Sequence, residues 1–119
     1  LRYDKFPWDS GSFDHVMANG IYHFVEDLNL NFQESCRVLK PGGMYGFTTM
    51  DPGDIDKDYN TVSSDESEIV VYEHSHKLIL ELLDRHGFTL KKRARVLLYK
   101  NIEKTEELIC GMYVAVKST

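Results

Sequence analysis

The sequence predicts a single α/β domain with the element order β-α-β-α-β-β, two parallel strands and a C-terminal antiparallel hairpin. Three observations predict this class. Short apolar segments alternate with segments whose apolar residues recur at helical spacing. Pro-Gly-Gly at residues 41–43 separates the first helical segment from the next apolar one. Two strand-like segments then end the chain without a helix between them, which favours a hairpin.

The first predicted strand is residues 13–18, which are short, mostly apolar and followed by the turn dipeptide Asn19-Gly20. The first helix follows a loop at residues 21–27, and Asp27 or Asn29 is placed to cap it. One apolar stripe runs along this helix, formed by Leu28, Phe32, Cys36 and Leu39. We expect Pro41 to end the helix.

Residues 44–50 form the second predicted strand, and a helix between two strands predicts that they are parallel, with a right-handed crossover. Residues 51–68 are acidic and poor in large apolar side chains, which predicts an irregular surface loop. This loop is either a plain connector or a lid over a site. Its length favours the lid, because long loops in compact domains are often functional.

Ser75 is placed to cap a second helix at residues 76–86, which Gly87 would stop. The apolar stripe of this helix consists of Leu78, Ile79, Leu82 and Leu83. Residues 89–99 and 108–117 are both strand-like, and the short polar connection between them predicts an antiparallel pair.

Composition excludes several classes of protein. The 119 residues are 42% hydrophobic and 28% charged with a net charge of −5, which is typical of a soluble globular protein and disfavours binding to nucleic acid through the overall field. The sequence has no apolar run of membrane-spanning length and no signal-peptide layout. Cys36 and Cys110 lie in no metal-binding or redox spacing, so we expect reduced thiols in a cytoplasmic protein.

Ligands of open α/β sheets bind beyond the carboxyl ends of the parallel strands. Asn19, Tyr22 and His23 are the best-placed polar residues, and Gly20 permits close backbone approach to a ligand. His23 is either a residue that orients a substrate or carries a proton, or a half-buried histidine bonded to the backbone.

The segment from Phe6-Pro7-Trp8 through Ser12-Phe13-Asp14 to RVLKPGG at residues 37–43 resembles the second half of class I methyltransferases of the small-molecule type, which use S-adenosylmethionine. The later helix and the terminal hairpin are also similar to that family. The resemblance implies a Rossmann-like sheet and methyl transfer to a small-molecule acceptor. It also implies roles for seven residues: Phe6 and Trp8 flank the adenine, Asn19, Gly20 and Ile21 pass near the cofactor, and Tyr22 and His23 face the substrate.

The sequence departs from the family in one important respect, because no GxGxG-like stretch occurs in it. We therefore expect residues 1–119 to be a single partial domain, the C-terminal half of a methyltransferase domain without its N-terminal cofactor-binding half. Such a chain would bind S-adenosylmethionine poorly, and its catalytic residues are unknown. Residues 13–18 would present an unpaired strand edge.

The unpaired edge supports an alternative, a non-catalytic interaction module that forms a homodimer or pairs with another chain that supplies the missing half. Two further possibilities have less support. The basic residues Lys91, Lys92, Arg93 and Arg95 alternate along a predicted strand and are more typical of a solvated face than of a nucleic-acid site. Glu73, His74 and His76 are close in sequence, but proximity alone does not predict a metal site.

Overall fold

The computed structural model describes residues 5–63, 69–100 and 107–118, and confirms a mixed α/β fold. The helices are α1 (Asn29–Val38) and α2 (His76–Arg85), with a short 3₁₀ turn at Tyr22–Phe24. The strands are β1 (Phe13–Ala18), β2 (Leu39–Met50), β3 (Tyr59–Ser63), β4 (Val70–His74), β5 (Phe88–Lys100) and β6 (Glu107–Lys117). Neither described helix combines the length and the apolar character that a membrane crossing requires.

The main sheet has the strand order β1-β2-β6-β5. Strands β1 and β2 are parallel, as the intervening helix predicts, and β6 is antiparallel to both β2 and β5. The carboxyl ends of β1 and β2 therefore lie at the same edge of the sheet, and the chain leaves that edge at Asn19 and at Asp51. Within the described residues, β1 pairs on one side only, so its other edge is open.

One face of this sheet carries the core. The buried side chains alternate along the strands, as in Tyr45 and Phe47 of β2, and pack against both helices. Phe32 of α1 lies at the centre, with ring centroids of Tyr45 and Phe47 at 5.4 and 5.1 Å. The other helical contribution comes from the predicted stripe of α2, in which Ile79, Leu82 and Leu83 are buried.

The opposite face of the sheet is uncovered in the described structure. Met17 of β1 is 78% exposed, and Met44 of β2 and Met112 of β6 are 42% and 46% exposed. The strand register places Met17 opposite Gly46, and Met44 opposite Val116. This array of exposed apolar side chains adjoins the open edge of β1 in the described part of the chain.

The first helix ends earlier than the sequence predicts. It stops at Val38, three residues before Pro41, and Leu39 is already extended with φ −80° and ψ 142°. The reason is that Lys40 precedes proline and is therefore disfavoured in the helical region, while Leu39 pairs with Phe13 of β1. Strand β2 consequently contains the Pro-Gly-Gly sequence and is longer than the predicted residues 44–50.

The prediction that residues 51–68 are irregular is wrong for their second part. Residues 59–63 form strand β3, which pairs antiparallel with β4 in a separate two-stranded sheet. Residues 64–68 lie outside the described part. The register brings Tyr59 opposite His74 and Thr61 opposite Tyr72, so aromatic side chains stabilise a hairpin that composition alone did not indicate.

The residues that cap α2 at its two ends are those that the sequence predicts. The Ser75 hydroxyl accepts a hydrogen bond from the Leu78 backbone N–H at 3.0 Å, and Gly87 has the positive φ of 84° that ends the helix. At α1, a leucine occupies the capping position, and the predicted candidate Asp27 instead accepts from the Asn29 backbone N–H at 2.9 Å.

Candidate functional site

A cavity of about 470 Å³ lies against β1, and Val16, Met17 and Ala18 of that strand line it. It brings together four residues that the sequence singled out: Phe6, Trp8, Ile21 and Tyr22. Its lining is predominantly apolar, and its volume falls in the range of roughly 300–1,000 Å³ that is typical of small-molecule sites. This cavity is the candidate site.

The aromatic wall of the cavity is a chain of edge-to-face contacts. The ring centroids of Phe6 and Trp8 are 6.1 Å apart, and Trp8 also packs on Phe13, which does not line the cavity, at 5.4 Å. Trp8 is 52% exposed, so its ring retains a free surface for a ligand. A flat aromatic group such as a purine is the kind of ligand that such a wall binds by stacking.

Glu34 and Arg37 of α1 hold this aromatic segment in place. The Glu34 Oε1 atom accepts hydrogen bonds from the Phe6 backbone N–H at 2.8 Å and from Arg37 Nη2 at 3.0 Å. Arg37 donates in turn to the Phe6 carbonyl at 3.0 Å and to the Ser10 hydroxyl at 3.2 Å. Arg37, in the last turn of α1, therefore positions the aromatic wall of the cavity.

Sequence reasoning missed Glu34. It is a buried acid, only 4% exposed, on a helix whose other buried positions are Phe32, Ser35 and Val38. The available signal was its spacing of three residues from Arg37, since side chains three apart on a helix are neighbours.

The Glu34 contacts make a prediction about pH. Its hydrogen bond from Arg37 is the largest cause that lowers the pKa of this carboxyl below its ordinary value. The ionised form therefore stabilises the fold fully above the ordinary pKa of about 4.3. This stabilisation is lost as the pH falls through the lower pKa of the folded state.

We expect Glu34→Gln to lower the free energy of unfolding by about 2 kcal/mol at pH 7, because hydrogen bonds to a charged group are lost. Urea unfolding at pH 7 and at progressively lower pH measures this free energy. The difference in free energy of unfolding between the variant and the wild type should shrink as the wild-type carboxyl protonates. Glu81→Gln, at an exposed acid on α2, is the matched control, with an expected change within about 0.5 kcal/mol. An equal effect of the two substitutions would contradict the role of Glu34.

The turn after β1 is ordered by a single hydroxyl. Thr48 Oγ1 donates to Asn19 Oδ1 at 3.2 Å and accepts from the Gly20 backbone N–H at 2.9 Å. Gly20 has a φ of +74°, and a β-carbon there would meet nothing within 4 Å, so conformation rather than crowding requires glycine. Asn19 and Gly20 do not line the cavity; Asn19 borders a smaller groove with Met17 and Thr48.

Tyr22 is a core residue as well as a cavity residue. Only 2% of it is exposed, its hydroxyl contacts that of Tyr45, and its ring lies 5.7 Å from Phe47. Burial raises the pKa of the Tyr22 hydroxyl. The expectation that Tyr22 faces a substrate stays a prediction, and its contacts add a structural role that the sequence did not indicate.

His23 is half-buried beside Phe24, with ring centroids 4.0 Å apart. Burial lowers the pKa of its imidazole, so the neutral form that can accept a proton predominates at pH 7. No group among the described residues hydrogen-bonds its ring, so the alternative of a backbone-bonded histidine has no support in that part of the chain.

The hairpin of β3 and β4 is anchored to the loop that carries these residues. Tyr59 donates to Glu26 Oε2 at 2.6 Å, and His74 Nε2 lies 3.1 Å from the Glu26 carbonyl oxygen. The hairpin therefore sits beside the turn at Tyr22–Phe24, where a lid would lie. The lid remains a prediction, but the segment is not a free connector.

The residues considered for a metal site have other partners. The buried His74 contacts Glu26, and His76 Nδ1 lies 2.9 Å from the Tyr113 hydroxyl. Among the described residues, no group of three or more potential ligands comes together. Both cysteines in this part of the chain are free thiols; Cys110 is buried and Cys36 half-buried.

Comparisons with known proteins agree with this architecture. A family model described as "Methyltransferase domain" matches residues 2–47. The chain is 34% identical over 82 residues to a malonyl-[acyl-carrier protein] O-methyltransferase of Legionella pneumophila, covering 69% of this chain and 26% of the relative. It is 27% identical over 88 residues to a protein of the same description, numbered 1, from Coxiella burnetii, covering 74% and 31%.

Among solved structures, a SAM-dependent methyltransferase of Methanosarcina mazei matches with a TM-score of 0.79 at 16% identity, covering 99% of this chain and 65% of that one. This likeness shows the fold. The chain thus spans about a quarter to a third of the curated relatives and about two thirds of the structural neighbour. The resemblance to class I methyltransferases is confirmed.

Proposed function

We propose that this chain is part of a class I methyltransferase domain and contributes to methyl transfer from S-adenosylmethionine to a small-molecule acceptor. Its fold and the match of residues 2–47 to a methyltransferase family model support the proposal. The observation that carries the proposal is the cavity beside the open edge of β1. Its aromatic wall suits the adenine, and the turn of Asn19 and Gly20 follows the same strand.

The acceptor class follows from the names of the curated relatives. Both are described as O-methyltransferases of a malonyl group on an acyl carrier protein. We propose that this chain likewise serves transfer to an oxygen of an acidic acyl group. Such a reaction needs little proton transfer, because a carboxylate is already nucleophilic and the sulfonium is already activated, so positioning of the two reactants supplies most of the rate.

In this proposal the described chain supplies one wall of the cofactor site. Phe6 and Trp8 contact the adenine, Ile21 and the backbone of Gly20 pass near the cofactor, and His23 orients the acceptor. The sequence contains no glycine-rich loop for the methionine end of the cofactor. An additional strand beside β1 would both pair the open edge and bring such a loop to the cavity.

The first test is the affinity of the 119-residue chain for S-adenosylmethionine. We expect calorimetry to detect weak binding or none, because only one wall of the site is present. Micromolar affinity would contradict the division of the site between this chain and further residues.

The second test uses a longer protein in which an N-terminal methyltransferase half with a glycine-rich loop, from the same gene or from a relative, precedes this chain. We expect that protein to bind S-adenosylmethionine and to methylate a malonyl thioester. Asn19→Ala should weaken cofactor binding about tenfold, because the turn loses its hydrogen bond to Thr48, and Gln33→Ala on the exposed side of α1 should not. Failure of the longer protein to bind the cofactor would overturn the proposed function.

A second candidate is self-association through the open edge of β1 and the uncovered sheet face. The 78% exposure of Met17, in a strand that pairs on one side within the described residues, favours it. Size-exclusion chromatography with light scattering should then show a dimer of the 119-residue chain that Met17→Lys converts to a monomer. A monomer at every concentration would exclude this candidate.

A further inference from the structure

Asp51 and two arginines form a charged cluster just beyond the carboxyl end of β2. Arg95 Nε lies 3.0 Å and Arg93 Nη2 lies 3.2 Å from the same oxygen, Oδ2 of Asp51. The other carboxylate oxygen accepts from the Gly53 backbone N–H at 2.8 Å. The Asp51 side chain is only 5% exposed, whereas those of Arg93 and Arg95 are 30% and 45% exposed.

The strand register builds this cluster. Thr49 of β2 lies opposite Gly111 of β6, which lies opposite Arg95 of β5. A β-carbon on Gly111 would come within 2.7 Å of Thr49 Oγ1 and 3.6 Å of Asp51 Oδ2. Glycine at this position therefore leaves room for the Thr49 hydroxyl, whereas the Asp51 carboxylate, which both arginines reach, would be only at ordinary contact distance.

Counted over the described residues, the cluster carries an excess of positive charge. Two guanidinium groups face one carboxylate, and neither arginine forms an ion pair with another acid in the described part of the chain. Each guanidinium has five N–H donors and uses one of them on Asp51. Burial lowers the pKa of the adjacent His76, so this imidazole adds no charge at pH 7.

The position of the cluster relates it to the candidate site. Both arginines bind a residue that follows β2, and β2 is the direct neighbour of β1, which ends at Ala18, just before Asn19. The arginines reach Asp51 from β5 across β6, and paired strands are roughly 5 Å apart, so the cluster lies roughly 10 Å along the sheet from the end of β1. It is nevertheless at the carboxyl edge of the parallel strands, where a methyl acceptor would bind.

We propose that Arg93 and Arg95, held in position by Asp51, bind a carboxylate of the methyl acceptor. The planar fork of arginine matches the two oxygens of a carboxylate, and the partial exposure of both side chains leaves donors accessible. This inference rests on the proposed function for the identity of the ligand as an acceptor. The binding of a carboxylate can be measured without the cofactor.

The alternative is that Asp51 and the arginines only fasten the loop after β2 to β5. The two roles differ in what the arginines do beyond binding Asp51. If the cluster only holds the loop against β5, small dicarboxylates should not bind to it. If it is an acceptor site, they should bind to the N–H donors of the arginines that Asp51 leaves free.

The experiment is a titration of the 119-residue chain with malonate at low ionic strength, followed by NMR chemical shifts. We expect saturable shifts at Arg93, Arg95 and Gly111, and none with malonamide, which has the same shape without the charge. Arg93→Gln and Arg95→Gln should each weaken malonate binding about tenfold. Arg95→Lys should bind with intermediate affinity, because it keeps the charge but loses the fork.

Lys92→Gln is the matched control. Lys92 is an exposed cation on the same strand, but it pairs with Val114 and so lies on the opposite face of the sheet from Arg93. Its removal should leave malonate binding unchanged. Circular dichroism and thermal unfolding of every variant show that the fold is retained.

Absence of malonate binding to the wild type, or equal loss from Lys92→Gln and Arg95→Gln, would overturn the inference, the latter by showing a non-specific effect of charge. These outcomes are independent of cofactor binding. Failure of the longer protein to transfer a methyl group, with malonate binding intact, would overturn the proposed function and leave the carboxylate site in place.

Discussion

Phe32→Ala is expected to lower the free energy of unfolding by about 4 kcal/mol, because removing a buried aromatic side chain leaves a cavity in addition to the lost burial. Phe32 is fully buried, and its ring contacts those of Tyr22, Tyr45 and Phe47 at centroid distances of 5.9, 5.4 and 5.1 Å. It joins α1 to the sheet and to the turn after β1.

Urea unfolding followed by circular dichroism measures this loss. Leu30→Ala is the control on the same helix, since Leu30 is 38% exposed and its truncation should cost less than about 1 kcal/mol. A similar loss from both substitutions would contradict the central position of Phe32.

The same substitution has a functional consequence. Tyr22 packs on Phe32 and belongs to the turn that carries His23, so the cavity left at Phe32 loosens that turn. In the longer protein, we therefore expect Phe32→Ala to reduce methyl transfer by more than the unfolded fraction alone accounts for. The measurement is the rate per folded molecule at a temperature where the variant remains native.

The regular elements could be predicted because each depends on local pattern. The α2 helix has a capping serine, an apolar stripe and a terminating glycine within thirteen residues, and all three behave as predicted. The bounds of β1 at Phe13–Ala18 also match the prediction, because the turn dipeptide that follows it is sharp.

The elements that could not be predicted depend on partners distant in sequence. Strand β3 lies in an acidic, polar segment and exists because Tyr59 and Thr61 pair across to β4. The wall of the candidate cavity depends on the hydrogen bond between Glu34 and Phe6, which is 28 positions earlier. The charged cluster depends on the ion pair between Asp51 and Arg95, which is 44 positions later. Charged residues carry no periodic signal for such contacts, so the sequence predicted solvated arginines.

The motif RVLKPGG contains two adjacent glycines that are required for different reasons. Substituting them should therefore change the free energy of unfolding by different amounts. Gly42 has a φ of +81°, and a β-carbon there would meet nothing within 4 Å. Gly43 lacks a positive φ, but a β-carbon there would lie 2.8 Å from the Lys40 carbonyl oxygen, 2.9 Å from Leu39 Cδ2 and 3.0 Å from the Asp14 carbonyl oxygen. Gly42 is therefore required because of its positive φ, and Gly43 is required because no β-carbon fits there.

We expect Gly43→Ala to lower the free energy of unfolding by about 3 kcal/mol, because two of the three clashing atoms belong to backbone and cannot move independently. Gly42→Ala should cost only about 1 kcal/mol, the penalty of a left-handed conformation for an L-residue, and Gly42→Asn still less. Chemical unfolding of the three variants measures the order, and a greater loss from Gly42→Ala than from Gly43→Ala would contradict it.

The Gly43 effect should extend to the candidate site. The Asp14 carbonyl oxygen belongs to β1, at the point where the pairing of β1 with β2 shifts register between Phe13 and His15. A β-carbon on Gly43 forces β1 away from β2 there, and β1 carries the cavity wall and the turn at Asn19. Amide hydrogen exchange should therefore show faster opening along β1 in Gly43→Ala but not in Gly42→Ala, because only the former separates the two parallel strands.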